Sequence, residues 1–143
     1  AAVHYRCEAL PSPPVLVGVE PLSAACLLES ARAGELRIVP GPHTSAMDCL
    51  NAGAPSVTSL PTLLAAFDAF VGVGDDLVTS SIQMLARAGV VSGPTGCAGL
   101  VGLRAASAHL GLTQESRVLL INSEGVADPS GYAAALGDGT PSS

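Results

Sequence analysis

Three short apolar runs of strand length recur along the chain with helix-length stretches between them: "VLVGVE" at 15–20, "AFVGVG" at 69–74 and "RVLLIN" at 117–122. Runs this short and this continuously apolar suit strands buried on both faces. Strands separated by helices cannot pair as hairpins and are expected to lie parallel. The expected fold is therefore α/β: one domain built on an open, mostly parallel three-layer sheet with flanking helices. The intervening segments carry helix punctuation. In "PLSAACLLESARAG", Ser23 is a plausible N-cap and Gly34 follows the end. "LRIV" (36–39) is a short strand or an extended connection, and 44–53 reads as a helix closed by Gly53, with Pro55 forbidding continuation. "LPTLLAAF" reads as a helix. Asp75 is expected to cap a helix running to about Ala88, with Val78, Ile82 and Leu85 on one face. A further helix should run to about His109, and "DPSGYAAAL" forms a short last one. Residues 1–14 read as loop and 137–143 as a flexible tail. In open parallel sheets, ligands sit beyond the carboxyl ends of the strands. Here those ends lie near Glu20–Pro21, Gly72–Gly74 and Asn122–Gly125.

Composition narrows the function. Apolar residues make up 48% of the 143, yet charged residues only 13%, about half the usual share, which leaves little with which to coat a surface. Part of that surface is expected to be covered by another protein segment; the plainer reading is a compact, simply hydrophobic domain. A net charge of −6 without a basic stripe argues against nucleic acid. The longest uncharged stretch of the hydrophobic second half, between Arg87 and Arg104, is too short and too glycine-rich for a confident membrane span, and the start does not resemble a signal peptide. The four cysteines, Cys7, Cys26, Cys49 and Cys97, form no CxxC pair, so no metal site is indicated. Free thiols suit a reducing, cytoplasmic setting.

Several familiar sites are excluded outright. A P-loop needs a lysine, and the six cations are all arginine. No GxGxxG follows a strand and no GxSxG elbow exists. His4, His43 and His109 lack triad partners, and Asp75–Asp76 at a helix start is better explained by the helix dipole than by catalysis.

The run "SGPTGCAGLVGL" (92–103) repeats glycine every third residue, at Gly93, Gly96, Gly99 and Gly102. Glycines so spaced lie along one helix face and allow very close backbone approach. Pro94 suits a first helical turn. The run is either a helix start whose free N–H groups face a polar ligand, with Thr95 at the same end, or simply a tight packing device. Two further stretches favour the ligand reading: Ser123, placed between a strand and a glycine turn, and the polar-edged "SAMDCLNAGAPS" at 45–56.

Taken in order, these pieces resemble the second half of a fold-type II pyridoxal-phosphate enzyme, within it the diaminopropionate ammonia-lyase type. "VGVEP" resembles the strand that follows the family's phosphate-binding glycine loop. "SAMDCLNAGAPS" is similar to "TIMAGLxCGxPx", "VVSGPTGCAGLVGL" to "ISGESGAxGLxxL", and "VLLINSEGVADPSGY" to "VLxIxTEGDTDxxxY". The likeness covers roughly residues 15 to 132.

The resemblance implies α,β-elimination on a small, diaminopropionate-like amino acid, releasing ammonia and a 2-oxo acid, with pyridoxal 5'-phosphate as electron sink. It implies that Ser123 bonds the ring nitrogen, that Gly125 leaves room at the ring edge, and that Gly93, Thr95 and Gly96 line the cofactor or substrate pocket. It also implies a homodimer. Two acids of the pattern are missing: Pro94 stands where it has Glu and Val126 where it has Asp. The family holds its cofactor on a lysine amine, and this chain has no lysine. No residue here therefore fills the catalytic lysine's place. The expectation is a C-terminal portion of a larger catalytic unit, inactive alone and completed by a lysine-bearing segment. The competing expectation is a non-catalytic α/β module that binds a small molecule or a protein.

Overall fold

The computed structural model describes residues 2–137. The expected tail at 137–143 lies, beyond Gly137, outside the described residues. Helix α1 (Ala2–Cys7) stands where a loop is expected, and strand β1 (Val17–Pro21) follows. Next come α2 (Cys26–Ala33), α3 (Leu60–Ala66) and strand β2 (Ala69–Val73), then α4 (Val78–Arg87), α5 (Ala98–Ala106) and α6 (Pro129–Leu136). The two strands pair parallel, Val17 opposite Ala69 through Pro21 opposite Val73, across a connection that carries α2 and α3.

The strand side chains divide between two layers. On one face Gly18 leaves room for the stacked Phe67 and Phe70, and Gly72 meets Leu22 and Leu28, so that α2 and its lead-in settle against the sheet. On the other face Gly102 of α5 presses on Val19. A core of Met47, Val73, Val78, Ile82, Cys97, Ala98 and Val101 gathers there, joined by Val71, Leu85 and Tyr132. Val78, Ile82 and Leu85 do share the inner face of α4. Arg104 of α5 clamps the start of α4: its Nη1 donates to the Leu77 carbonyl and to the hydroxyls of Ser80 and Ser81 at 3.3, 2.7 and 2.9 Å.

Several local expectations fail for identifiable reasons. Ser23 does not cap α2. The chain first makes a 3-10 turn, Leu22–Ala24, and the cap comes from Glu20 at the end of β1. Its buried carboxylate accepts from the Leu27 and Leu28 N–H groups at 2.9 and 2.8 Å. Gly34 does end α2, with a left-handed φ of 69°.

The helix expected over 44–53 shrinks to one 3-10 turn, Asp48–Leu50. Its polar side chains take the backbone groups a helix would use. Ser45 N–H donates to Asn51 Oδ1, Asn51 Nδ2 to the Ser45 carbonyl, and Met47 N–H to Ser45 Oγ. Such local bonds compete directly with helix. Asp75 opens a 3-10 turn rather than capping α4, because its carboxylate is engaged by Ser45 Oγ (2.6 Å) and Ala46 N–H (2.8 Å). Residues 94–97 form turns before α5, which ends at Ala106 and not His109.

The third strand does not form. Residues 117–122 form neither helix nor strand, and no backbone group of 117–121 is hydrogen-bonded among the described residues. A ladder needs a neighbour, and among the described residues β1 and β2 pair only with one another.

Candidate cofactor-facing site

Segment 44–51 links two parts of the strand-tip face. At its first end Ser45 and Ala46 are tied to Asp75, just beyond β2. An open cleft of about 210 Å³ lies here, lined by Pro21 and Ser23 from the β1 tip, by Thr44 and Ser45, and by Gly74 and Asp75. Ser23 Oγ is buried with no partner among the described residues. At its other end Asp48 and Cys49 reach the glycine turn. Cys49 N–H donates to Thr95 Oγ1 at 3.3 Å, and Thr95 Oγ1 donates to Asp48 Oδ1 at 3.4 Å.

The glycine turn in turn lies flat on residues 122–125. Gly93 N–H donates to the Glu124 carbonyl at 3.3 Å. A Cβ on Gly93 would strike the Gly125 carbonyl and Glu124 Oε1, and one on Gly96 would strike Asn122 Oδ1 and the Glu124 carbonyl. Only glycine allows these two backbones to meet so closely. Ser92 Oγ and Asn122 Nδ2, the latter donating to the Val91 carbonyl at 3.0 Å, stitch the same seam.

Of the residues singled out by sequence, Gly93 and Gly96 are buried in this seam and Thr95 sits at its rim. Ser123 and Gly125 are on its open side. Ser123 is exposed, its hydroxyl without a partner among the described residues, and Gly125 faces open space. The five are thus brought to one seam by two stretches of backbone far apart in sequence. Pro94, in the glycine turn, and Val126, just after Gly125, are both half-buried.

The sequence reading set Asn122–Gly125 at a strand end but gave Asn122, Glu124 and Asp48 no role of their own. Asp48, Cys49 and Glu124 each bring one polar atom within 4.8 Å of the others, and Glu124 Oε2 is buried without a partner among the described residues. A polar Asn closing an apolar run was the available signal for Asn122. Asp48 and Glu124 meet only through the fold. Behind the seam, burial pushes the Cys97 thiol up to about 11, with the Glu124 charge adding to it. Burial raises Cys26 as well, followed by the charge and hydrogen bond of Glu20.

A parallel β-α-β unit with its polar side chains and glycine turn gathered at the strand-tip end defines a cofactor-binding α/β enzyme class. The chain belongs to the pyridoxal-phosphate dependent enzyme family, whose model matches residues 1–124. Among solved structures it is similar to diaminopropionate ammonia lyase from Escherichia coli in its selenomethionine holo form, with TM-score 0.75 and 22% identity over 90% of this chain and 35% of that one. It is similar also to the T.th. threonine deaminase (TM-score 0.68, 23% identity, 73% and 39% covered). Serine racemase from Dictyostelium discoideum matches with TM-score 0.71 and 17% identity, 88% and 40% covered. The chain therefore spans well under half the length of these proteins. No curated protein matches the chain. Among the described residues no helix is long and apolar enough to cross a membrane.

The family is pyridoxal-phosphate dependent, and the residues present fit part of such a site. An unpartnered Ser123 hydroxyl beside open space at Gly125 suits the edge of a planar ring. The anchoring amine is not among the 143 residues, which include no lysine.

Proposed function

We propose that this chain supplies one wall of a pyridoxal-phosphate site in an enzyme that eliminates ammonia from a small amino acid, the opposite wall and its lysine coming from a complementary segment. The observation that carries this reading is the seam of residues 92–96 on 122–125, which leaves Ser123 exposed and Gly125 open. When bound, the cofactor supplies the electron sink for a substrate carbanion. The chain's own residues bind and orient. Ser123 would donate to or accept from the ring nitrogen; a neutral hydroxyl, unlike a carboxylate, does not hold that nitrogen protonated. Gly93 and Gly96 fix the seam, and Thr95, held by Cys49 N–H and Asp48, borders the substrate side. Pro94 and Val126 offer no charge to a substrate ammonium, which favours a substrate whose charged groups are read by the complementary wall.

Pyridoxal phosphate added to the chain alone, followed by borohydride reduction, should leave no stoichiometric adduct, because there is no ε-amine to trap. With a lysine-bearing complementary segment present, the adduct mass should appear on that segment. Ammonia and a 2-oxo acid should then form from 2,3-diaminopropionate. A stoichiometric adduct on this chain alone overturns the divided-site reading, and racemisation without ammonia overturns the elimination.

A further inference from the structure

We propose that Asp75, just beyond β2, is a positioning residue for the substrate side of the seam: through segment 44–51 it holds Asp48 and Cys49 against Thr95. The inference rests on the divided-site reading above and adds a residue that acts there only through others. An acid at a helix start is ordinarily explained by the helix dipole, and Asp75 and Asp76 share that explanation. The structure separates them. Asp75 commits both carboxylate oxygens to the segment: Oδ1 accepts from Ser45 Oγ at 2.6 Å and Oδ2 from the Ala46 N–H at 2.8 Å. No such bond joins Asp76 to the segment among the described residues.

The segment can transmit that hold because it is braced. Ser45 Oγ, while donating to Asp75, accepts from the Met47 N–H at 3.1 Å. Ser45 and Asn51 close on one another through two bonds, at 3.2 and 2.9 Å. Met47 is fully buried, in one core cluster with Val73 and Val78. By contrast, the bonds from the segment to the glycine turn are long, 3.3 Å between Cys49 N–H and Thr95 Oγ1 and 3.4 Å between Thr95 Oγ1 and Asp48 Oδ1. Short bonds to a carboxylate outweigh long ones between neutral groups. The place of Asp48 and Cys49 is therefore set at the Asp75 end and not at the seam.

The consequence falls on Thr95. Its hydroxyl accepts from Cys49 and donates to Asp48, which fixes one rotamer toward the substrate side. With the segment released, that side chain would sample its other staggered rotamers, and a binding group held in advance would be lost.

Amide and methyl NMR of the free chain gives the first readout. Asp75→Ala should move the Cys49 and Thr95 amide signals and average the Thr95 rotamer. Asp76→Ala removes the same charge from the same helix start and should leave both residues unmoved. Ala46 is exposed, so water can take over its N–H and Asp75→Ala should still fold. Should it not, Asp75→Asn, which keeps an acceptor for the Ser45 hydroxyl, should give the same shifts more weakly. The second readout is kinetic, with a lysine-bearing complementary segment added and 2,3-diaminopropionate as substrate. Asp75→Ala should raise KM by about tenfold while kcat stays within about threefold, because a group that binds ground and transition states alike has been loosened. Asp75→Asn should recover part of that KM. Cys49 and Thr95 signals unmoved in the Asp75 variants, equal movement in Asp76→Ala, or an unchanged KM would each overturn the proposal. Failure of the divided site shows elsewhere, as a stoichiometric borohydride adduct on this chain alone, and the amide signals decide the hold on Thr95 in either case.

Discussion

The backbone of Gly96 lies against the side-chain oxygen of Asn122 with no room for a β-carbon. This contact, with that of Gly93 on Glu124 and Gly125, makes the glycine turn and the segment carrying Ser123 a single surface. Gly96→Ala should therefore force the two apart, at a cost of about 1–3 kcal/mol for overpacking. Gly125→Ala, which meets nothing within contact distance, should change stability little. Urea denaturation of both variants checks the contrast. If the two lose similar stability, the seam is not the constraint on these glycines.

Glu20 gives a second test, at the other strand tip. Its carboxylate supplies both acceptors for the first free N–H groups of α2 and is buried while doing so. Glu20→Ala should cost about 1–2 kcal/mol, as loss of a cap leaves buried donors unmet. Glu20→Gln keeps one acceptor and should recover part of the loss. Equal loss in the two variants would mean that the negative charge, and not the acceptor geometry, is what α2 requires.

The strand–helix alternation made the α/β class and the two paired strands readable from the sequence, because continuous apolar runs and glycine stops are local signals. What it misplaced was decided elsewhere. Ser23 has the right residue type for a cap, but the stronger acceptor, Glu20, sits in the preceding strand and folds onto the helix. Segment 44–53 has helical spacing, but Ser45 and Asn51 close on one another and on Asp75, a partner far along the chain. Residues 117–122 have a strand's composition without a strand's neighbour. At the seam, the close backbone approach of Gly93 and Gly96 was legible through their spacing, whereas the cofactor roles given to Ser123 and Gly125 come from the resemblance. Asn122 and Glu124 acquire their roles only when the seam closes.

Thiol chemistry should report the same packing. Cys49 is exposed at the rim of the seam, whereas Cys26 and Cys97 are buried and both are pushed up in pKa. Because the thiolate is the reactive form, iodoacetamide at neutral pH should label Cys49 well before either buried cysteine. Peptide mapping after short exposure checks the order. Raised Cys97 also ties stability to alkaline pH. Unfolded, the thiol titrates at its ordinary 9.0; folded, at about 11. Between those values the unfolded state binds fewer protons, so stability should fall as pH rises through this window and level off above it. Cys97→Ala should flatten that fall, and an unchanged slope would place its origin in another group.

At α6 the sign is opposite. Asp128 accepts from the Ser130 hydroxyl at 2.6 Å and the Ser130 N–H at 3.1 Å; the hydroxyl first, then the Gly131 and Ser130 N–H groups, lower its pKa below the ordinary 3.8. A depressed carboxylate stabilises the fold above its unfolded pKa and ceases to as pH falls through the folded value. The α6 cap should therefore hold at neutral pH and be lost only under acid, below about pH 3.8. Because Gln83 Nε2 donates to the Ala135 carbonyl at 2.8 Å, fraying of α6 should be felt by α4. Asp128→Ala should speed hydrogen exchange in α6 at pH 7 and remove the acid-dependent step, while Asp128→Asn, still an acceptor, should retain part of the protection without the step. An acid-induced loss that persists in Asp128→Asn would assign it to another carboxylate.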